Sequence, residues 1–200
     1  NSYIESVGGK EKLESVKTIV MKAEVTIPGA PFKPTATSMR KFPNKYSFEI
    51  QANMGGQNVT LTKVKFNGER GFNEMQGQKV DFEEDQISKD KGKKGLFDEL
   101  YYSDDQLELV SINSVNYEDA YKVKVTVDGK VSHRYYSIDT GFLVSEEETD
   151  DNNNVVTTNY GDYKEVDNVK FPFYMELPAQ KLEFSTTSLE LNKDLKDSSF

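Results

Sequence analysis

The chain has no cysteine and no tryptophan, and its 200 residues include a single histidine, His133. Without cysteine, disulfides, thiolate-ligated zinc sites and thiol nucleophiles are excluded. One histidine, with no H-E-x-x-H motif or its inverted form, gives no support for a histidine zinc site either. We therefore expect no metal ion and no cofactor.

Long apolar runs and a basic surface are also missing. No run approaches the ~18 apolar residues of a membrane span, and Asn1 is not followed by a charged start and an apolar stretch, so any export signal is expected upstream of residue 1. Asp and Glu number 34 against 25 Lys and Arg, a formal charge of -9. This charge disfavours nucleic acid and anionic headgroups as partners.

Short turns between apolar runs dominate what is present. The segment from Tyr121 to Glu148 has three such runs, joined by Asp128-Gly129-Lys130 and Asp139-Thr140-Gly141. Asp-Gly tolerates the positive φ angles of a tight hairpin, so this segment predicts consecutive antiparallel strands. Alternating apolar and polar residues predict further strands at 18–27, 35–42, 46–51, 58–66, 107–115, 155–166, 169–177 and 182–191, and a weaker pair at 70–75 and 79–82.

Helices are expected at the start and in the middle of the chain. Ser2 and Glu5 have capping-box spacing, and Gly8-Gly9 would kink the helix that follows into two short pieces. The acidic segment 83–90 tolerates a helix. A further helix is expected where Leu96, Phe97, Leu100 and Tyr101 have the spacing of one helical face.

These segments predict a mainly β fold with a few helices. Because strands and helices do not alternate regularly, a parallel sheet is disfavoured. We expect a single curved antiparallel sheet of about ten or eleven strands, forming an unclosed barrel capped by the N-terminal helix and one or two mid-chain helices. One domain should span residues 1–200, with the charged residues 193–200 as a frayed tail.

Few residues point to chemistry. His133 lies in a predicted strand, and no G-x-S-x-G nucleophile elbow is present, so an ordinary strand residue is favoured. Glu146, Glu147 and Glu148 point to alternate faces of one strand, which favours an exposed strand end over a catalytic carboxylate pair. The run from Asp150 to Asn154 lacks the glycine and distal glutamate of an EF-hand loop, so a solvated turn is favoured over a Ca²⁺ site. We expect no enzymatic activity.

Five segments follow one another in a characteristic order. They are YIESVGGKEKLESVKTI at 3–19, RKFPNKY at 40–46, VKFNG at 64–68, YSIDTGFLV at 136–144 and GDYKEVDNVKFP at 161–172. Together they resemble the outer-membrane lipoprotein-sorting proteins, the LolA/LolB-like carriers of bacterial envelopes and their relatives. The resemblance spans nearly the whole chain.

The resemblance implies an unclosed antiparallel barrel whose apolar hollow, between sheet and helices, holds the acyl chains of lipoproteins. Arg40 falls where such carriers place a basic residue before a proline turn, which implies a lid or headgroup contact. Phe42 stands between the basic pair and Pro43, so either Arg40 or Lys41 is the counterpart. Candidate lining residues are Met21, Val25, Tyr46, Phe48, Leu61, Leu96, Phe97, Leu100 and Tyr135.

The expected function is a non-enzymatic, monomeric envelope module, periplasmic or associated with the outer membrane, that binds a lipid, an acyl chain or a lipidated protein. Met and aromatic residues on the strand faces suit such a lining, but a self-filled core is the favoured interpretation for most of them. The alternative is a structural or protein-interaction domain with an envelope protein partner. The opening segment also resembles domains appended to M16-type zinc peptidases, of which this chain would be a non-catalytic part.

Overall fold

The computed structural model describes residues 2–150 and 153–200, and thirteen β-strands are found within them. They are β1 (Thr18–Thr26), β2 (Thr35–Lys41), β3 (Lys45–Met54), β4 (Gln57–Phe66), β5 (Gly71–Met75), β6 (Gln78–Asp81), β7 (Leu107–Val115), β8 (Glu118–Val127), β9 (Lys130–Ser137), β10 (Leu143–Thr149), β11 (Val155–Val166), β12 (Val169–Leu177) and β13 (Leu182–Leu191).

The strands form one antiparallel sheet in the order β6-β5-β4-β3-β2-β1-β13-β12-β11-β10-β9-β8-β7. Because β6 and β7 end this order, the sheet is not closed on itself, and the predicted fold class is confirmed. The strand number is higher than the predicted ten or eleven. The weak pair around Gln76-Gly77-Gln78 forms two regular strands, with Gln76 and Gly77 in the left-handed region that a tight hairpin needs.

Three α-helices accompany the sheet within the described part of the chain: α1 (Ser2–Ser6), α2 (Lys10–Ser15) and α3 (Glu84–Lys91). The kinked N-terminal helix and the acidic mid-chain helix are therefore confirmed. The helical face predicted from Leu96 to Tyr101 is reduced to a 3₁₀ turn at Asp98–Leu100. Gly92 and Gly95 precede this segment, and so short a helix is marginal in water. None of the helices among the described residues has the length and apolar character needed to cross a membrane.

Two compact units can be distinguished by their contacts. The first unit comprises Asn1–Lys12 and Glu99–Glu183, and the second unit comprises Leu13–Asp98 and Phe184–Phe200. The single domain predicted for residues 1–200 stays a prediction.

In the first unit, the N-terminal segment is fixed to the strands by backbone and aromatic contacts. The amide of Lys170 donates to the carbonyl of Val7 at 2.9 Å, and Val7 is buried. The ring of Tyr3 lies 5.2 Å from the ring of Tyr136. Buried apolar side chains of this unit include Val7, Ala120, Val125, Tyr135, Leu143, Val169 and Phe171.

In the second unit, antiparallel register sorts the side chains of β1 to β3 onto two faces. Buried apolar residues of this unit include Leu13, Ile19, Ala23, Val25, Ala36, Ile50, Phe66, Leu96, Phe184 and Leu189.

The segment 193–200, predicted as a frayed tail, makes polar contacts in the second unit. Lys41 Nζ donates to the carbonyl of Leu195 at 2.8 Å, and Lys65 Nζ donates to that of Ser199 at 2.8 Å.

The turn predicted at Asp150–Asn154 is described only in part, because residues 151 and 152 lie outside the described residues. At its ends, the amide of Asn154 donates to Asp150 Oδ1 at 2.8 Å. This hydrogen bond joins the two ends of the turn.

Replacing Gly8 with alanine should lower the free energy of unfolding by about 2–3 kcal/mol. Gly8 has φ +134°, and an added Cβ would lie 2.6 Å from the carbonyl oxygen of Asn168. Urea denaturation measures the loss. The matched control is Gly129→Ala, where φ is +76° but no atom lies within 4 Å, so only the conformational cost of about 1 kcal/mol remains. Equal losses in the two variants would contradict the proposed steric cause.

Candidate functional site

Several of the predicted lining residues share one face of the strands in the second unit. Met21 pairs with Ser38, which in turn pairs with Phe48 on β3. In the neighbouring row, Arg40 pairs with Tyr46. Because directly paired residues of antiparallel strands point to the same face, Met21, Arg40, Tyr46 and Phe48 lie on one face. Val25 joins them by alternation along β1.

A cleft of about 220 Å³ opens on this face, and we call it the Arg40 cleft. It is lined by Ser38, Arg40, Pro43, Asn44, Lys45, Tyr46, Ser47, Phe48, Lys93, Gly95 and Leu96. Four of the predicted residues, Arg40, Tyr46, Phe48 and Leu96, therefore meet at one place. The lining contains three basic residues and no acidic one, although acidic residues outnumber basic ones in the chain, 34 to 25.

One wall of the Arg40 cleft is the segment between α3 and the 3₁₀ turn at Asp98–Leu100. Arg40 Nη2 donates to the carbonyl oxygen of Leu96 at 2.6 Å, and the side chain of Leu96 is buried. A hydrogen bond from a charged donor contributes about 1.5–3 kcal/mol. Arg40, predicted as a lid or headgroup contact, thus holds this wall against the strands.

Helix α3 is anchored beside the cleft by a buried carboxylate. The side chain of Asp90 is only 1% exposed. Its Oδ2 accepts hydrogen bonds from the Tyr46 hydroxyl at 2.7 Å and from Gln86 Nε2 at 2.8 Å. Lys93 Nζ lies 3.0 Å from Oδ1 and 5.0 Å from the centre of the Tyr46 ring. One acid therefore connects the helix, the following segment and β3.

These contacts determine the charge state of Asp90. Burial opposes its ionisation, but the hydrogen bonds from Gln86 and Tyr46 and the charge of Lys93 outweigh burial, so the pKa of Asp90 is lowered. Burial and the bond to Asp90 raise the pKa of Tyr46 well above its usual value of 10.0. At neutral pH the pair is thus a carboxylate and a neutral phenol.

The remaining predicted residues lie elsewhere. In the second unit, Leu61 occupies the bulge where the β3–β4 register shifts, and Phe97 lies in the segment after Leu96. Leu100 lies in a 3₁₀ turn of the first unit. Tyr135, also in the first unit, is buried, and its hydroxyl donates to Glu147 Oε2 at 2.8 Å.

The first unit contains a second concentration of polar groups, which we call the Arg134 cluster: Arg134, Glu99, Glu146, Tyr3, Tyr102, Tyr136, Tyr160 and Tyr163. Arg134 Nη1 bonds Glu99 Oε1, and their side chains are only 11% and 12% exposed. Arg134 Nη2 lies 4.0 Å from Glu146 Oε2. The sequence did not indicate this cluster. An arginine within a predicted strand, one of only three arginines in the chain, was the one available signal.

Glu146 and Glu147 are not the exposed strand end that their sequence suggested. Glu146 Oε1 accepts a hydrogen bond from Tyr160, and its carboxylate faces Arg134. Glu147 turns to the other face, where Lys122 Nζ lies 3.5 Å and His133 Nδ1 3.9 Å from its Oε2. The prediction of an exposed strand end holds for Glu148 but was wrong for Glu146 and Glu147. Their partners come from neighbouring strands, which local spacing does not reveal.

The chemistry available to the Arg134 cluster is limited by its charge states. Burial raises the pKa of Glu146, an effect that the Tyr160 hydrogen bond and Arg134 only partly offset. Burial also raises the pKa values of Tyr136, Tyr160 and Tyr163 above 10.0. Neutral phenols around a paired guanidinium offer no activated nucleophile. No group of three or more potential metal ligands occurs among residues 2–150 and 153–200.

Replacing Asp90 with asparagine should lower the free energy of unfolding at pH 7 by about 2 kcal/mol, since hydrogen bonds to a charged acceptor are lost. The lowered pKa of Asp90 means that the carboxylate stabilises the fold above the unfolded-state value near 3.9. The difference from wild type should therefore shrink as the pH falls to about 3, below that value. Urea denaturation at both pH values tests this, with exposed Asp85→Asn on the same helix as control. A difference that is independent of pH would contradict the assignment.

Replacing Arg134 with methionine should cost about 3 kcal/mol or more, because Glu99 and Glu146 would keep buried carboxylates without their cation. Adding Glu99→Met to this variant should restore part of the loss, since removing both partners of a buried pair is often tolerated. The control is exposed Arg70→Met. If the double variant is less stable than the single variant by the full cost of Glu99→Met alone, Arg134 and Glu99 are not energetically coupled.

No protein-family model matches the chain, and no curated protein matches it significantly. Several solved structures do match the chain. A DUF1329 family protein from Desulfovibrio piger is 13% identical with a TM-score of 0.60, over 100% of this chain and 94% of its own. A LolA superfamily protein from Nitrosomonas europaea is 13% identical with a TM-score of 0.60, over 100% of this chain and 96% of its own.

An outer membrane lipoprotein-sorting protein domain from Vibrio parahaemolyticus is 12% identical with a TM-score of 0.55, over 92% of this chain and 88% of its own. At such low identities the similarity concerns the fold. The resemblance expected from the sequence is confirmed at that level: the chain has the fold of LolA superfamily proteins and of lipoprotein-sorting domains.

Proposed function

We propose that the chain is a non-enzymatic module of the cell envelope that binds an acyl chain or a lipidated protein at the Arg40 cleft. The main support for this proposal is that Arg40, Tyr46, Phe48 and Leu96 border one cleft. The fold shared with LolA superfamily and lipoprotein-sorting proteins supports both the ligand class and the envelope location.

The size of the Arg40 cleft defines how such a ligand would enter. Its volume of about 220 Å³ is below the ~300–1,000 Å³ of common small-molecule pockets. An acyl chain would therefore displace the wall formed by Leu96. Breaking the bond from Arg40 to the Leu96 carbonyl costs about 1.5–3 kcal/mol. Burial contributes about 0.8 kcal/mol per methylene group, so about four buried methylene groups offset that cost.

The charges around the cleft suit an amphiphile that carries an acidic or strongly polar end. Arg40 and Lys93 border the cleft together with apolar Phe48 and Leu96. Lys45 also lies in the lining, with its Nζ 3.0 Å from Asp197. Cationic groups beside an apolar surface favour a ligand with an apolar tail and a polar head at the rim.

Filling the Arg40 cleft with a bulky side chain should weaken ligand binding without unfolding the protein. Ser38→Trp places an indole on the cleft face of β2, whereas Thr37→Trp, the matched control, points to the other face of the same strand. Fluorescence titration with a dansyl-labelled C16 fatty acid should show saturable binding to wild type and to Thr37→Trp. Binding to Ser38→Trp should be at least tenfold weaker.

Two results would count against this function. If wild type does not bind the probe, the face is filled by its own side chains and the chain is a structural or interaction domain. If Ser38→Trp binds as wild type does, the acyl chain occupies another part of the molecule. Far-UV circular dichroism of all three proteins establishes that they are folded. Because the chain has no tryptophan, indole emission also reports whether the introduced side chain is shielded from water.

A further inference from the structure

Strand β7 is an edge strand of unusual accessibility. It ends the strand order, with β8 on one side and no further strand on the other among the described residues. All nine of its residues except Val115 are exposed. The edge of such a strand presents unpaired backbone amide and carbonyl groups, which are a template for another strand.

The opposite edge of the sheet shows the protection that β7 lacks. Strand β6 has only four residues, and two of them, Lys79 and Asp81, are charged and lie 3.4 Å apart. Short length and charge are two devices by which proteins block edge pairing. Strand β7 is nine residues long, and its one charged residue is Glu108. Besides Glu108, a bulge at Val110 interrupts its pairing with β8.

The exposed side chains of β7 form an apolar row. Leu109 is 64% and Ile112 is 60% exposed, and Leu107 is 38% exposed. Leu109 pairs with Val123, and Ile112 pairs with Tyr121. Val123 and Tyr121 are alternate residues of β8, so these side chains lie on one face of the sheet. The row therefore continues an apolar surface from β8 to the edge of the sheet, where an added strand would cover it.

The charge next to this row is acidic. Asp104 and Asp105 lie exposed in the 3₁₀ turn immediately before β7, and Glu108 follows. Lys124 Nζ lies 3.0 Å from Glu108 Oε2, and both side chains are exposed. A second copy of the chain would bring a net charge of -9 and the same acidic turn. Charge complementarity therefore favours a basic partner over self-association.

We propose that the outer edge of β7 binds an extended, basic segment of a partner protein by strand addition. In an antiparallel arrangement the C-terminal end of the added segment lies beside the start of β7. Basic residues at that end face Asp104 and Asp105, while alternate apolar residues cover Leu109 and Ile112. Backbone hydrogen bonds to the edge supply affinity, and these side-chain contacts supply the preference for sequence.

Fluorescence anisotropy tests this site with a fluorescein-labelled peptide of alternating valine and threonine that ends in three lysines. Wild type should bind it saturably, and Leu109→Lys and Ile112→Lys should each bind at least tenfold more weakly. The matched control is Val80→Lys on β6, where the replaced side chain is also 63% exposed. All three substitutions replace exposed side chains, so the variants should remain folded.

A second peptide, with three glutamates in place of the lysines, tests the charge preference. It should bind at least tenfold more weakly than the lysine peptide, and the difference should narrow in high salt. Equal binding of the two peptides, equal effects of the β6 and β7 variants, or no binding to wild type would each overturn the proposal. So would sedimentation showing a dimer that Leu109→Lys dissociates, because a second copy would then be the occupant. This site lies in the first unit and does not depend on binding at the Arg40 cleft.

Discussion

Antiparallel strand pairing is the constraint on which the arrangement of both polar sites depends. Direct pairing places Arg40 beside Tyr46 and Ser38 beside Phe48, and it places Arg134 beside Glu146. A shift of one residue in either ladder would move these side chains to the other face. The turns that fix the register, such as Asp139-Thr140-Gly141 between β9 and β10 with Gly141 at φ +74°, therefore determine which charges can meet.

Each unit contains a buried charged side chain, Asp90 in the second unit and Arg134 in the first, and the two charges have different kinds of partner. Asp90 Oδ2 accepts hydrogen bonds from two neutral donors, and its Oδ1 lies 3.0 Å from the ammonium group of Lys93. Arg134 is paired with Glu99 and lies near Glu146, while its Nε has no hydrogen-bond acceptor among the described residues. Such groups are costly to leave unpaired. Each therefore fixes the position of neighbouring segments more strictly than apolar packing alone would.

The sequence predicted the parts of this structure that depend on local rules. Turn residues and alternation located the strands, and the structure places four of the predicted site residues, Met21, Arg40, Tyr46 and Phe48, on a common face. The sequence did not reveal that Asp90 has a buried side chain, because Asp90 lies in an acidic segment suited to a solvent-exposed helix. Nor did it identify the partners of Arg134, because Glu99 is 35 residues away in the chain and no local period connects them. A helix was expected at Leu96 to Tyr101. The structure instead has a segment that Arg40 binds at the Leu96 carbonyl and that contains one 3₁₀ turn.

The two walls of the Arg40 cleft differ in how they are attached to the rest of the second unit. The β2 and β3 side belongs to a continuous backbone ladder, and its loss would amount to cooperative unfolding. The Leu96 side is held by side-chain contacts alone: the bond from Arg40, the contacts of Asp90 and the burial of Leu96 itself. For the proposed acyl-chain ligand, entry would therefore rearrange the side-chain contacts of the Leu96 segment and leave the backbone ladder of β2 and β3 intact.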